Sequence, residues 1–261
     1  MTLLDITQGD SPLVLGLPHT GTDVPEDIAK QLNTRGRALT DTDWHIHTLY
    51  AGLLSGVTTV RTRIHRYVID ANRDPSGESL YPGQNTTGLV PLTDFDGRPI
   101  WDTEPDAIEI ERRRRLYHAP YHAALQAELD RVRARHGFVI LYDCHSIRSR
   151  IPFLFDGTLP DFNIGTNTGT TCAPGVETLV HGICAAATGY SAVLNGRFKG
   201  GWTTRHYGCP GIGQHAIQME LAQATHLTAE APPWTLDPAK SRALRTPLRH
   251  ILTALSDWRP A

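Results

Sequence analysis

Two histidines and an aspartate stand beside predicted element boundaries and could together hold a metal ion. His19 ends the apolar run "SPLVLGLPH", His145 ends "GFVILYDCH", and Asp43 lies in "LTDTDW", just before a helical pattern. Two imidazoles and a carboxylate suit catalytic zinc, which keeps a fourth position open for water. We therefore predict a zinc site of His19, Asp43 and His145. Such a ligand set also accepts iron, cobalt or manganese.

Nearby residues offer alternative ligands. Asp41 could replace Asp43 as the acidic ligand, and its other role would be that of a helix cap. His118 and His122, in "YHAPYH", have the i, i+4 spacing of two ligands on one helix face. Pro120 disturbs that geometry, and no glutamate follows the first histidine as in a zincin. The proline and the missing glutamate therefore favour a packing or surface role for the histidine pair.

Glu220, in "QMELAQ", lies at the end of a predicted apolar strand. Burying a charge costs free energy unless the charge is paired or used. A carboxylate beside an activated water can act as general base and then protonate a leaving amine. Glu220 is therefore predicted to be a catalytic base, and the alternative is a salt bridge at a strand edge.

Basic side chains cluster near the predicted strand ends and turns: Arg73, Arg148, Arg197, Lys199 and Arg205. The planar guanidinium of arginine binds a carboxylate through two parallel hydrogen bonds. The cluster therefore predicts a small anionic substrate, such as a dicarboxylate, and Arg148 could also help to stabilise an oxyanion. The alternative is pairing with Asp70, Asp74 or Asp143.

The elements that must position these residues alternate between strand and helix patterns. Strands are predicted at 11–19, 57–63, within 65–73 (with Asn72 and Arg73 just past the strand end), 137–145, 190–195 and 213–221. Helices are predicted at 24–33, 39–56, 104–137 (interrupted at Pro120), 173–189 and 237–256. Residues 74–101 form a long predicted loop, and 196–208 a glycine-rich turn. Strands separated by helices predict an α/β fold, in which ligands bind at the carboxyl ends of strands.

Length and composition predict one domain over residues 1–261 with a small-molecule partner. The chain has 261 residues, a net charge of −2 and four cysteines without a CxxC pair. Interspersed charges favour neither nucleic acid nor an anionic membrane, and "RRRR" at 112–115 wraps around a helix. The first residues lack the pattern of a signal peptide, and no apolar run approaches about 20 residues. We therefore expect a cytoplasmic location.

Seven segments, which occur in this order along the chain, together resemble one protein family. They are "LPHTGTDVP", "DTDWHIHTLY", "IDANRDP", "YPGQNTTGLVPLTDFDGRPIW", "YHAPYHAAL", "LYDCHSIRS" and "FKGGWTTRHYG". The resemblance is to N-formylglutamate deformylases, also called N-formylglutamate amidohydrolases, and it runs from about residue 11 to 221. It implies hydrolysis of N-formyl-L-glutamate to formate and L-glutamate, a closing step of histidine degradation. It also implies a central mixed β-sheet flanked by helices, as in zinc carboxypeptidases and related deacylases.

The resemblance carries over to individual residues. In the carboxypeptidase-like relatives the first ligands are His-x-x-Glu, whereas Thr22 lies three residues after His19, so Asp43 is the candidate replacement. Asn72 and Arg73 match the dipeptide that binds a substrate carboxylate, and Glu220 matches the late catalytic glutamate. The segment "TTRHYG" suggests Arg205 as a second carboxylate contact. Two other functions stay open: deacylation of another N-acyl amino acid, and non-catalytic binding of a metal or dicarboxylate.

Overall fold

A seven-stranded mixed β-sheet organises the computed structural model, which describes residues 2–78, 83 and 85–260. Its strands are β1 (Leu4–Thr7), β2 (Leu13–Leu17), β3 (Thr58–Thr62), β4 (Val139–Ile147), β5 (Phe162–Gly165), β6 (Ala192–Leu194) and β7 (Gln214–Ala222). The strand order is β1-β3-β2-β4-β7-β5-β6. The four strands β3, β2, β4 and β7 are parallel to one another, whereas β1 and β5 run antiparallel to their neighbours β3 and β7.

Helices cover both faces of this sheet, which confirms the predicted α/β class with a mixed sheet and flanking helices. They are α1 (Glu26–Ala29), α2 (Thr34–Arg37), α3 (Ile46–Tyr50), α4 (Ala107–Arg113), α5 (Ala119–His136), α6 (Pro174–Ala186), α7 (Trp202–Tyr207) and α8 (Pro238–Asp257). A π-helical turn, Arg114–His118, joins α4 to α5. Among the residues with described placement, no helix has both the length and the apolar composition needed to cross a membrane.

The central strand β4 is buried along its whole length and separates two cores. Ile140, Tyr142 and Cys144 pack with α3, α6 and α8, whereas Val139 and Leu141 pack with α5. Because successive strand residues point to opposite faces, His145 lies on the α5 side. The alternation along β4 therefore decides which layer of helices borders the site.

Several local predictions were wrong. Residues 65–73 form no strand but a buried loop after β3, because Tyr67, Val68 and Ile69 all pack with Ile28 and Trp101 in a third core. Residues 40–45 form turns, and helix α3 begins only at Ile46. The predicted glycine-rich turn contains helix α7, and the strands β1 and β5 were not predicted at all.

Candidate metal centre and substrate cleft

The parallel pairing of β2 and β4 brings the two predicted histidine ligands together. His145 lies near the carboxyl end of β4, and His19 lies two residues after β2 ends. Asp43 reaches the same place from the turn before α3, where its backbone N–H donates to the carbonyl of His19 at 3.0 Å. Its Oδ2 also accepts from the backbone N–H of Ser146 at 3.1 Å. Backbone contacts on two sides therefore fix the Asp43 carboxylate between the histidines.

The three side chains present one donor atom each to a common point. Nδ1 of His19 and Nδ1 of His145 lie 3.2 Å apart, and Asp43 Oδ2 lies 3.1 Å from His145 Nδ1 and 3.8 Å from His19 Nδ1. Metal–ligand bonds of about 2.0–2.1 Å in a tetrahedral zinc site place neighbouring ligands about 3.3 Å apart. All three residues are buried, with at most 2% of their surface exposed. The donor set therefore fits a divalent transition-metal ion.

A carboxylate holds the far nitrogen of each histidine. His19 Nε2 lies 2.7 Å from Asp70 Oδ1, and His145 Nε2 lies 3.1 Å from Asp143 Oδ2. Since a carboxylate only accepts hydrogen bonds, it favours the tautomer with the proton on Nε2 and leaves Nδ1 for a metal. Carboxylate–histidine pairs of this kind orient metal ligands and make them more basic. The sequence offered Asp70 and Asp143 only as partners for arginines.

Burial and neighbouring charges act in opposite directions on the three ligands. Burial and the positive charge of Arg66 lower the pKa of His19. Burial disfavours the charged form of His145 too, but Asp143 and Asp43 outweigh it and raise its pKa well above the ordinary value. For Asp43, burial is outweighed by the two histidines and Arg66, so its pKa is lowered. Asp43 is thus an ionised acceptor in this centre.

The structure separates Asp41 from these ligands. Asp41 Oδ2 accepts hydrogen bonds from the Tyr67 hydroxyl at 2.7 Å and from the Phe95 backbone N–H at 2.8 Å. Burial raises the pKa of Asp41 to about 6. The described cluster of possible ligands contains Asp43 and not Asp41. Asp41 instead ties the loop around Phe95 to the segment before α3.

A cleft opens beside this centre. Its described lining includes His19, His145, Asn72, Arg73, Arg197 and Glu220. Glu220 of β7 is the register partner of His145 on the parallel strand β4, so the two side chains lie on the same face of the sheet. Burial raises the pKa of Glu220 to about 8. A carboxyl group with such a pKa can accept and return a proton near neutral pH.

Asn72 and Arg73 connect the cleft to the metal centre. Asn72 Nδ2 lies 3.2 Å from His145 Nε2, and its Oδ1 accepts from the Thr203 backbone N–H at 2.9 Å. Gly201 is required beside it, because a Cβ atom there would lie 2.3 Å from Asn72 Nδ2. Arg73 donates to the carbonyl and hydroxyl oxygens of Thr87 at 2.9 and 3.0 Å. Its guanidinium is thereby held at the wall of the cleft.

Two other predicted arginines lie outside the described lining of the cleft. Arg148 directly follows the last residue of β4, and its guanidinium donates to Asp96 Oδ1 at 3.1 Å. Arg205 lies on α7 and donates to the carbonyl of Gly200 at 2.9 Å. The structure therefore brings neither guanidinium to the metal centre.

One functional candidate was missed in the sequence. Arg66 is buried, lines the cleft, and lies 2.9 Å from Asp70 Oδ2 and 3.6 Å from Asp43 Oδ1. Its charge therefore stabilises two carboxylates that hold or form the centre. Residues 65–73 had been predicted as a strand, and no local pattern marks a buried arginine within such a run.

The fold and the site together define an α/β enzyme with a candidate metal centre at the carboxyl ends of parallel strands. A sequence model of the N-formylglutamate amidohydrolase family matches residues 11–227, and the chain belongs to this family. It is 45% identical over 259 residues to an N-formylglutamate deformylase of Pseudomonas aeruginosa, covering 98% of this chain and 97% of that protein. An N-formylglutamate deformylase of Pseudomonas putida is 44% identical, with coverages of 98% and 96%.

Solved structures show the same architecture. The crystal structure of an N-formylglutamate amidohydrolase from Ralstonia eutropha superposes with a TM-score of 0.82 at 25% identity, covering 98% of both chains. A protein of Agrobacterium tumefaciens superposes with a TM-score of 0.72 at 15% identity, covering 98% of this chain and 96% of the other. The second likeness concerns the fold alone.

Proposed function

We propose that this chain hydrolyses N-formyl-L-glutamate to formate and L-glutamate, using a metal ion held by His19, Asp43 and His145. The observation that carries the proposal is the buried triangle of donor atoms, 3.1 to 3.8 Å apart, at the wall of a cleft that also contains Glu220. The two Pseudomonas relatives, which are named for this activity, support the choice of substrate. We propose zinc as the ion, and we propose that the reaction serves histidine degradation.

A divalent ion, when bound, supplies Lewis-acid polarisation of a carbonyl group and lowers the pKa of water. Glu220 accepts a proton from the water whose oxygen attacks the formyl carbon. It then returns that proton to the nitrogen of glutamate as the C–N bond breaks. The same carboxyl group thus acts as base and then as acid, and its raised pKa of about 8 suits both steps.

The two carboxylates of the substrate require cationic partners in the cleft. Arg73, together with Asn72, is proposed to bind one of them, because both residues line the cleft. The sequence suggested Arg205 for the other carboxylate, whereas Arg197, beside Phe198, lines the cleft together with Arg66 and Arg73. Alanine substitution of Arg197 and Arg205 in parallel decides between them, since only the true contact raises KM for the diacid.

The first experiment measures formate release by the purified protein together with its elemental content. We expect turnover of N-formyl-L-glutamate, about one metal ion per chain, loss of activity with a chelator and recovery with Zn²⁺. N-acetyl- and N-succinyl-L-glutamate, which would give acetate and succinate instead of formate, are compared with the formyl substrate by release of L-glutamate. Faster release of L-glutamate from either would redirect the proposal to another acyl group. Activity that persists in metal-free protein would contradict the metal-assisted mechanism.

A further inference from the structure

His118 and His122 lie behind the segment that carries Asn72 and Arg73. His118 Nε2 is 3.1 Å from the carbonyl oxygen of Arg73, and His122 Nε2 is 2.8 Å from that of Ala71. A carbonyl only accepts, so both imidazoles donate from Nε2. The two acceptors are the carbonyls of the residues on either side of Asn72.

A π-helical turn allows His118 and His122 to lie side by side although Pro120 stands between them. Pro120 has no N–H to donate to Leu116 within an α-helix, and the chain there forms a π-helical turn in which Ala119 N–H bonds to the Arg114 carbonyl. Helix α5 then begins at Ala119 and continues to His136. The rings of His118 and His122 remain neighbours, with centroids 4.4 Å apart. Single π-helical turns of this kind occur frequently at functional sites.

Helix α7 holds the two imidazoles from the other side. The Trp202 ring lies 5.7 Å from the His118 ring and 4.8 Å from the His122 ring, measured between centroids. The Tyr207 hydroxyl lies 3.0 Å from His122 Nδ1. Burial lowers the pKa of His118, and it lowers that of His122 to about 3. Both rings are therefore neutral at physiological pH and have fixed tautomers.

We infer that His118 and His122 are positioning residues, whose N–H groups clamp the two carbonyls beside Asn72 and so direct Asn72 and Arg73 into the cleft. The inference rests on the proposed function, in which these two side chains bind a substrate carboxylate. The clamp complements Asp70, whose side chain accepts from Asn72 N–H at 2.8 Å and whose carbonyl accepts from Arg73 N–H at 3.2 Å. The backbone N–H groups of Asn72 and Arg73 and the carbonyls on either side of Asn72 are thus all hydrogen-bonded.

The test uses leucine, glutamine and control variants. His118→Leu and His122→Leu remove a donor at similar volume, whereas His118→Gln and His122→Gln offer an amide N–H in the place of Nε2. His136→Leu is the matched control, because His136 also lies on α5 and binds a backbone carbonyl, that of Asp10, at 2.8 Å. His118→Asn, whose shorter amide falls short of the Arg73 carbonyl, replaces a leucine variant that does not fold.

Hydrogen exchange tests the positioning independently of turnover. In the leucine variants we expect faster amide exchange in a peptide covering residues 70–76, measured by mass spectrometry, with unchanged metal content. The glutamine variants and His136→Leu should exchange as the wild type does. Unchanged exchange in both leucine variants would overturn the clamp.

Kinetics test whether the positioning serves the reaction. Because small misplacements of a binding group are costly, the leucine variants should lose about 10- to 100-fold in kcat/KM. In a background that lacks both side chains, Asn72→Ala with Arg73→Ala, the further loss should be less than about threefold, since residues that act through one another are not additive. Equal losses in both backgrounds would overturn the assigned role. A wild type that releases no formate would instead refute the proposed function. The hydrogen-exchange result would still show whether the two histidines hold residues 70–76 in place.

Discussion

Asp70 Oδ1 lies 2.7 Å from Nε2 of His19, so a buried carboxylate supports a candidate metal ligand from behind. The same carboxylate accepts from Arg66 through its other oxygen at 2.9 Å. Asp70→Asn removes the negative charge and turns an amide N–H toward either His19 or Arg66. Outer carboxylates of this kind contribute about 10- to 100-fold to metal affinity.

We therefore expect Asp70→Asn to weaken Zn²⁺ binding by about 10- to 100-fold, measured by competition with a chromophoric chelator. Asp94→Asn is the control, because Asp94 is also buried and paired with an arginine, Arg35, at 3.4 Å. Equal affinities of Asp70→Asn and wild type for Zn²⁺ would show that the histidine does not need this partner.

Glu220 lies beside the metal centre without belonging to the described ligand cluster. Glu220→Gln preserves its shape but removes the proton acceptor, so kcat should fall by about 10²- to 10⁴-fold. Metal content, measured by elemental analysis, should stay as in the wild type. Glu128→Gln, which alters a buried carboxylate of α5 outside the cleft, should retain activity. Loss of the metal from Glu220→Gln would identify Glu220 as a ligand instead of a base.

Arg73 and Arg148 were both predicted to serve the site, but only Arg73 lines the cleft. Removing a charged hydrogen-bond donor costs about 1.5–3 kcal/mol. Arg73→Ala should therefore lower kcat/KM for the diacid by about 10- to 100-fold, chiefly through KM. Arg148→Ala should stay within about threefold of wild type, because its guanidinium binds Asp96. Comparable losses of kcat/KM in the two variants would show that Arg148 also contributes to the reaction.

The central strands could be predicted from the sequence because buried strands have locally apolar composition. The runs that contain β2, β4 and β7 are apolar along most of their length, and each places a polar residue within two residues of its carboxyl end. Parallel pairing of these strands then brings His19, His145 and Glu220 to one place. This part of the site could be predicted because the general rule for parallel sheets supplies the convergence.

The remaining contacts of the site depend on pairings between distant residues. His19 and Asp70 are 51 positions apart, and the buried segment 65–73 that carries Asp70 and Arg66 lacks any strand pairing. An apolar run without a ladder has the same local composition as a strand. Similarly, the sequence favoured a packing or surface role for His118 and His122. It could not identify their carbonyl partners, which lie 45 and 51 residues away along the chain.

His226 offers a test of pH-dependent stability outside the cleft. Burial lowers its pKa to about 4, and its Nε2 lies 3.0 Å from the Trp44 carbonyl. In the unfolded chain a histidine has a pKa of about 6.5. Between these two values the unfolded state binds more protons, so the free energy of unfolding decreases as the pH falls from about 6.5 to 4. One such group contributes up to about 1.4 kcal/mol per pH unit.

His226→Gln retains an N–H donor for the Trp44 carbonyl but cannot be protonated. We expect its free energy of unfolding, measured with urea at several pH values from 7 to 4, to depend less steeply on pH than that of the wild type. The slopes should differ by up to about 1.4 kcal/mol per pH unit. Other buried histidines, including His122, titrate equally in both proteins and cancel in the comparison. Identical slopes would mean that His226 is protonated as readily in the folded chain as in the unfolded one.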